Sequence, residues 1–109
     1  MFKIIQKKNF DKEFFFNKKE LGEILNIYGS MVSKGVWKDY TIFISKNVVG
    51  FDIYKKASER PLFRIIKNLK SKVDQKYLLK DQNGKAIGYS NELKNIISVL
   101  YKKNLRVIK

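Results

Sequence analysis

The chain contains no cysteine and no histidine. Without thiols it has no disulfide, no thiolate nucleophile and no thiolate ligand for a metal. Without imidazole it has no usual general base, no serine or cysteine triad and no histidine-based zinc site. Carboxylates are scarce too: 10 Asp plus Glu stand against 24 Lys plus Arg, a net charge of +14. No spacing among those acids forces two of them into one cleft, and Glu20, which shares a helical turn with Glu23, has a capping role of its own. Gly84-Lys85-Ala86-Ile87-Gly88 spans a hairpin and its strand rather than a strand-to-helix turn, so it is no phosphate-cradling loop. An enzyme is not expected, and neither is a cofactor or a metal.

Long apolar runs are also missing, since none exceeds three residues. A spanning helix needs roughly 18–20 apolar residues and a secretory signal about 7–15. Asp11 and Glu13 are unlike an acid-poor transit peptide. The expected location is therefore cytoplasmic, with no membrane span.

What remains is ample for folding. The chain has 109 residues, 44% of them apolar and 14% aromatic. That is the composition and length of one globular domain, and disorder of the whole chain is excluded. The charge is uneven: residues 1–54 hold nine Lys and six acids, whereas residues 55–109 hold twelve Lys, three Arg and four acids. An excess of +11 in one half points to a polyanionic partner, nucleic acid or an anionic surface, or to nothing more than a solubilising face.

The pattern along the chain predicts a helix over 18–34. Asn17 caps it with Glu20 three residues on, and Leu21, Ile24, Leu25, Tyr28, Met31 and Val32 form a stripe that Gly35 ends. The period then changes to two. Strands are expected over 37–45 and 48–55, a third over 62–67 behind Pro61, and two more over 76–80 and 85–89. The last two flank Asn83-Gly84, the strongest hairpin signal, at which both residues tolerate positive φ. Residues 68–75 are expected to form a loop. Ser90 or Asn91 caps a second helix with Leu93, Ile96, Ile97, Leu100 and Tyr101 inward. Residues 105–108 are expected as a short strand or a frayed end. The fold class is α+β: a four- to five-stranded antiparallel sheet with one helix before and one after the meander, both packed on one face. A single basic domain spans 1–109, with 1–16 an N-terminal extension or edge strand and 102–109 a basic tail.

Three segments carry a resemblance. Asn17-Lys18-Lys19-Glu20-Leu21 continues to Tyr28-Gly29-Ser30-Met31-Val32; Gly35-Val36-Trp37-Lys38-Asp39-Tyr40 follows, and then Tyr54-Lys55-Lys56-Ala57-Ser58-Glu59-Arg60-Pro61-Leu62-Phe63-Arg64-Ile65. Together they resemble a small alphaproteobacterial family of unknown function. The chain departs from it at Ser30, where the family has a basic residue, and at Gly88-Tyr89-Ser90-Asn91-Glu92-Leu93, which lacks the family's lead-in to its last helix. The resemblance implies one domain of common length and a bacterial cytosolic origin. It implies no activity.

The candidate site residues are Trp37, Lys38, Tyr40, Lys55, Lys56, Arg60, Arg64 and Lys67. Trp37 and Tyr40 beside Lys38 suit base stacking with a cation on phosphate, or else the ring of Trp37 closes a helix-to-strand corner. Two of the three arginines, Arg60 and Arg64, sit in one segment of a lysine-rich chain. Their planar forks suit a phosphate, or an internal carboxylate such as Glu59 or Asp39. Lys55, Lys56 and Lys67 extend the positive track, as does the polar stretch to Lys80. The expected function is non-enzymatic nucleic-acid binding through a basic, aromatic-bearing sheet, RNA or single strands ahead of duplex DNA. The alternative is an adaptor that docks an acidic protein surface, and a homodimer is a further option.

Overall fold

A computed structural model describes residues 15–55, 60–70 and 75–108. The extension or edge strand expected over 1–16 lies outside these residues except for Phe15 and Phe16, and Lys56 lies outside them too. Helix α1 (Lys18–Ser33) is followed by strands β1 (Asp39–Ile44), β2 (Val48–Tyr54), β3 (Phe63–Asn68), β4 (Tyr77–Asp81) and β5 (Ala86–Ser90), then by helix α2 (Leu93–Ile108). The five strands form one antiparallel sheet in chain order. This is the expected α+β meander. No helix among the described residues is long and apolar enough to cross a membrane.

The first helix starts as its sequence dictates. Asn17 Oδ1 accepts the Glu20 N–H at 2.8 Å, and Glu20 Oε1 accepts the Asn17 N–H at 2.7 Å, which completes a capping box. Gly35 (φ +75°) ends it, and the Val36 N–H turns back to the Met31 carbonyl at 2.9 Å. The buried face differs from the expected stripe. Glu20, Ile24, Ile27 and Met31 point inward, while Leu25 and Val32 are exposed. Glu20 lies on this face with Ile24, Ile27 and Met31, and its carboxylate is anchored to the sheet through the Lys67 ammonium at 2.7 Å.

Both helices pack on one face. A single core joins Ile24, Ile27 and Met31 of α1 and Leu93, Ile96 and Leu100 of α2 to Val49, Phe51, Ile53, Ile65 and Leu79 of the sheet. At roughly 25 cal/mol per Å² of apolar surface removed from water, this cluster is the main favourable contribution to the fold. Residues 105–108 are neither strand nor frayed end; they complete α2. The spacing Leu93, Ile96, Leu100, Asn104 continues the inward stripe, and Asn104 is fully buried at its end.

At Asn83-Gly84 only Gly84 adopts positive φ (+81°), so the turn is not the double-positive kind that the sequence suggests. The Gly84 N–H bonds the Asp81 carbonyl and the Asp81 N–H bonds the Lys85 carbonyl, both at 2.9 Å. This is a three-residue loop closed by a left-handed glycine, and the ladder carries its bulge at Leu79/Lys80.

Candidate functional site

Side chains alternate across a sheet, and directly opposed residues share a face. The register therefore sorts the candidates before any contact is considered. Tyr40 opposes Ile53, on the helix-covered face. Arg64 opposes Asp52 on one side and Lys80 on the other, on the opposite face. The expected stacking residue and the expected phosphate residue look in opposite directions.

On the helix side the candidates have internal partners. Trp37 is 2% exposed, packs near Tyr28 and Phe63, and its Nε1–H donates to Asn104 Oδ1 at 3.1 Å. It closes the corner between α1 and the sheet and offers no ring to a base. Tyr40 is half-buried and stacks on Phe51, with centroids 4.7 Å apart and planes 7° from parallel. Lys67 is buried, and its Nζ donates to Glu20 Oε1 at 2.7 Å and to the Phe15 carbonyl at 3.1 Å. Glu20 Oε2 accepts the Tyr77 hydroxyl, so carboxylate, ammonium and phenol form one buried knot joining α1, β3 and β4. Burial pushes the Glu20 carboxyl up, but hydrogen bonds from Lys67, Tyr77 and the Asn17 backbone, with the Lys67 charge, hold it below its ordinary value. Burial, and after it the Glu20 acceptor, keep the Tyr77 phenol protonated well above its ordinary range. Lys67 belongs to this knot and not to a surface track.

The other face carries two cross-strand rows. One runs Thr41, Asp52, Arg64, Lys80; the next runs Phe43, Gly50, Ile66, Leu78, Tyr89. In the first, Arg64 Nε and Nη2 grip Asp52 Oδ1 and Oδ2 at 2.7 and 2.9 Å. Among the described residues the internal partner of this arginine is Asp52, not the Asp39 that the sequence suggests; Glu59 lies outside them. The Asp52 side chain is 6% exposed and that of Arg64 is 39% exposed. Burial pushes the Asp52 carboxyl up more than Arg64 draws it down, so it titrates above its ordinary value. In the second row the Phe43 ring lies over Gly50, where an added Cβ would sit 2.0 Å from Phe43 Cε2. Arg64 in turn lies over Phe43, 4.9 Å from the centroid. Tyr89 is 57% exposed.

The antiparallel order brings the start of β1, the β2–β3 connection and the β4–β5 turn to one end of the sheet. Lys38, Lys55, Arg60 and Lys85 are exposed there, and Lys80 is half-exposed. A cleft of about 330 Å³ opens at this end, lined by Arg60, Pro61, Arg64, Lys80 and the Asp81–Gly84 turn. Charge alone does not single out this end, since Lys46, Lys70 and Lys76 are exposed at the other. The arginines do: a cleft of about 410 Å³ beside Lys76 and Tyr77 at the other end is lined by Glu20, Glu23 and Glu92 and has no arginine. Among the described residues no group of acidic side chains could hold a metal ion.

Residues 14–97 match a family described only as proteins of unknown function, DUF2794. The chain belongs to this family. No curated protein and no solved structure matches it. The match of the DUF2794 chain takes in α1, all five strands and the start of α2, hence both cross-strand rows and the cleft. The sequence points to Lys80 only as the end of a polar basic stretch, and it does not single out Phe43, Tyr89 or Asp52. Their one signal is strand register, which becomes legible only once the hairpin loops are fixed.

Proposed function

We propose that this DUF2794 protein is a non-catalytic binder of single-stranded nucleic acid that uses the helix-free face and the basic end of its sheet. The observation that carries the reading is the pairing of rows. A cationic row ending in Arg64 and Lys80 runs beside a row of Phe43, Leu78 and exposed Tyr89 on one face. Single strands present phosphates and unstacked bases at once, and such adjacent tracks suit both. Arg60, Lys38 and Lys55 extend the phosphate track at the sheet end. Tyr89 replaces Trp37 and Tyr40 as the stacking group. Arg64 acts while still paired, because its fork has five N–H donors and Asp52 takes two.

Fluorescence anisotropy with single-stranded RNA, single-stranded DNA and duplex DNA tests the reading at about 150 mM salt, where nonspecific contacts are weak. Single strands should bind more tightly than duplex. Tyr89→Ala should cost about 1–3 kcal/mol of binding, the value of one stacked base, without unfolding the protein. Weak binding without preference, abolished near that salt, would sink the proposal. The basic end would then be a dock for an acidic protein surface.

A further inference from the structure

The cleft at the basic end has more than a plain phosphodiester backbone needs. At about 330 Å³ it lies within the size range of pockets that hold a whole small ligand, about 300–1,000 Å³. Arg60, Arg64 and Lys80 converge on it, and Asp81 is the one carboxylate in its lining. One of its oxygens is occupied by the turn: Oδ1 accepts the Asn83 and Lys85 N–H groups, both at 2.9 Å. Arg60 and Lys80 have no ion pair among the described residues. Arg64 is held in place by Asp52 and by the Phe43 ring, so little side-chain freedom is lost when its remaining donors take a ligand. Asp52 already balances the charge of Arg64, so a backbone diester brings one negative charge to the two cations, Arg60 and Lys80, that have no ion pair among the described residues. A terminal phosphate monoester brings about 1.5–2, with three strong acceptor oxygens.

We infer that the cleft seats a nucleotide's terminal phosphate monoester, presented by a strand end or by a free mononucleotide. Arg60, Arg64 and Lys80 hold the phosphate, and the nucleoside lies against Pro61 and the Gln82–Gly84 turn. The strand-end form rests on the nucleic-acid reading above; the mononucleotide form does not.

Oligonucleotides of one sequence, carrying a 5′-phosphate, a 3′-phosphate or hydroxyls at both ends, are compared by anisotropy. Adenosine 5′-monophosphate is titrated in parallel while the backbone amide signals of residues 81–85 are followed by NMR. One phosphorylated end should bind about tenfold more tightly than the hydroxyl form, the effect of one further charge-assisted hydrogen bond. That advantage should vanish in the Arg60→Ala/Lys80→Ala double variant, in which Arg64 is kept so that Asp52 stays paired. Equal affinity for all three ends, with the turn amides unmoved by the mononucleotide, overturns the inference and leaves the sheet-face reading intact. Shifted turn amides without binding of any oligonucleotide support the cleft with the free mononucleotide as its ligand, and overturn the strand reading. No shift and no binding remove both.

Discussion

At the scale of single residues, the buried polar groups decide how this fold holds together. Glu20 and Lys67 are both buried, and each is the other's counter-charge. Such a pair adds little over an apolar replacement, but removing one partner leaves a charge in a poor solvent. Glu20→Gln should therefore lower stability by about 3–5 kcal/mol, read from the urea midpoint. Acid tests the same group. The Glu20 carboxyl titrates below its usual 4.5, so its ionised form adds stability that is fully present above that value. This contribution is lost as the pH falls through the lower folded value. Asp52 runs the other way. Its folded carboxyl titrates above the usual 3.8, so the ionised form costs stability at neutral pH and protonation relieves the cost. Asp52→Asn removes the compensation, and its urea midpoint should fall more steeply between about pH 5 and 3 than the wild type's. Trp37 supplies a separate check. Trp37→Phe leaves the fully buried Asn104 oxygen without its donor and should cost about 1–3 kcal/mol of stability. Nucleic-acid affinity measured on the folded variant should not change; a loss of affinity would restore Trp37 to the interface.

At the scale of elements, the sequence reveals most where the signal is local. The capping box at Asn17 and Glu20, the stop at Gly35 and the five strands are each written in a few adjacent residues. The errors arise where a distant partner decides. The inward face of α1 includes Glu20, whose partner Lys67 stands 47 positions away and is invisible in the local stripe. Residues 105–108 read as strand or frayed end because their pattern is short, yet Asn104 bonding Trp37 across 67 positions helps dock the helix that contains them. The candidate site suffers most. Trp37 and Tyr40 stand in one motif and Arg64 in the next, and nothing in either shows that the pleat turns Tyr40 and Arg64 to opposite faces. The β4–β5 turn holds Lys80 and Tyr89 in their rows, so its backbone can be tested. A Cβ added at Gly84 (φ +81°) would meet no heavy atom within 4 Å, and Gly84→Ala therefore carries only backbone strain. It should cost about 1 kcal/mol by thermal unfolding and leave the far-ultraviolet circular dichroism spectrum unchanged. A much larger loss would mean that the turn sets the register of the sheet instead of merely closing it.

At the scale of the whole molecule, a net charge of +14 ensures that almost any polyanion will bind at low salt. Affinity alone therefore says little about the sheet face, whereas the dependence on salt can count contacts. For single strands, log Kobs falls with log salt at a slope of about −0.7 per phosphate neutralised. On a strand with hydroxyls at both ends, if Arg60, Arg64, Lys80, Lys38 and Lys55 each meet one phosphate, the slope should be about −3.5. Removing Arg60 and Lys80 together should bring it to about −2. Replacing Lys46 and Lys76, exposed at the opposite end of the sheet, should reduce affinity through the general field and leave the slope unchanged. Each double variant loses two positive charges, so the comparison separates a defined track from a diffuse basic surface. Equal changes in slope for the two would mean that the strand has no fixed path across the sheet, and the cross-strand rows would lose their role as an interface.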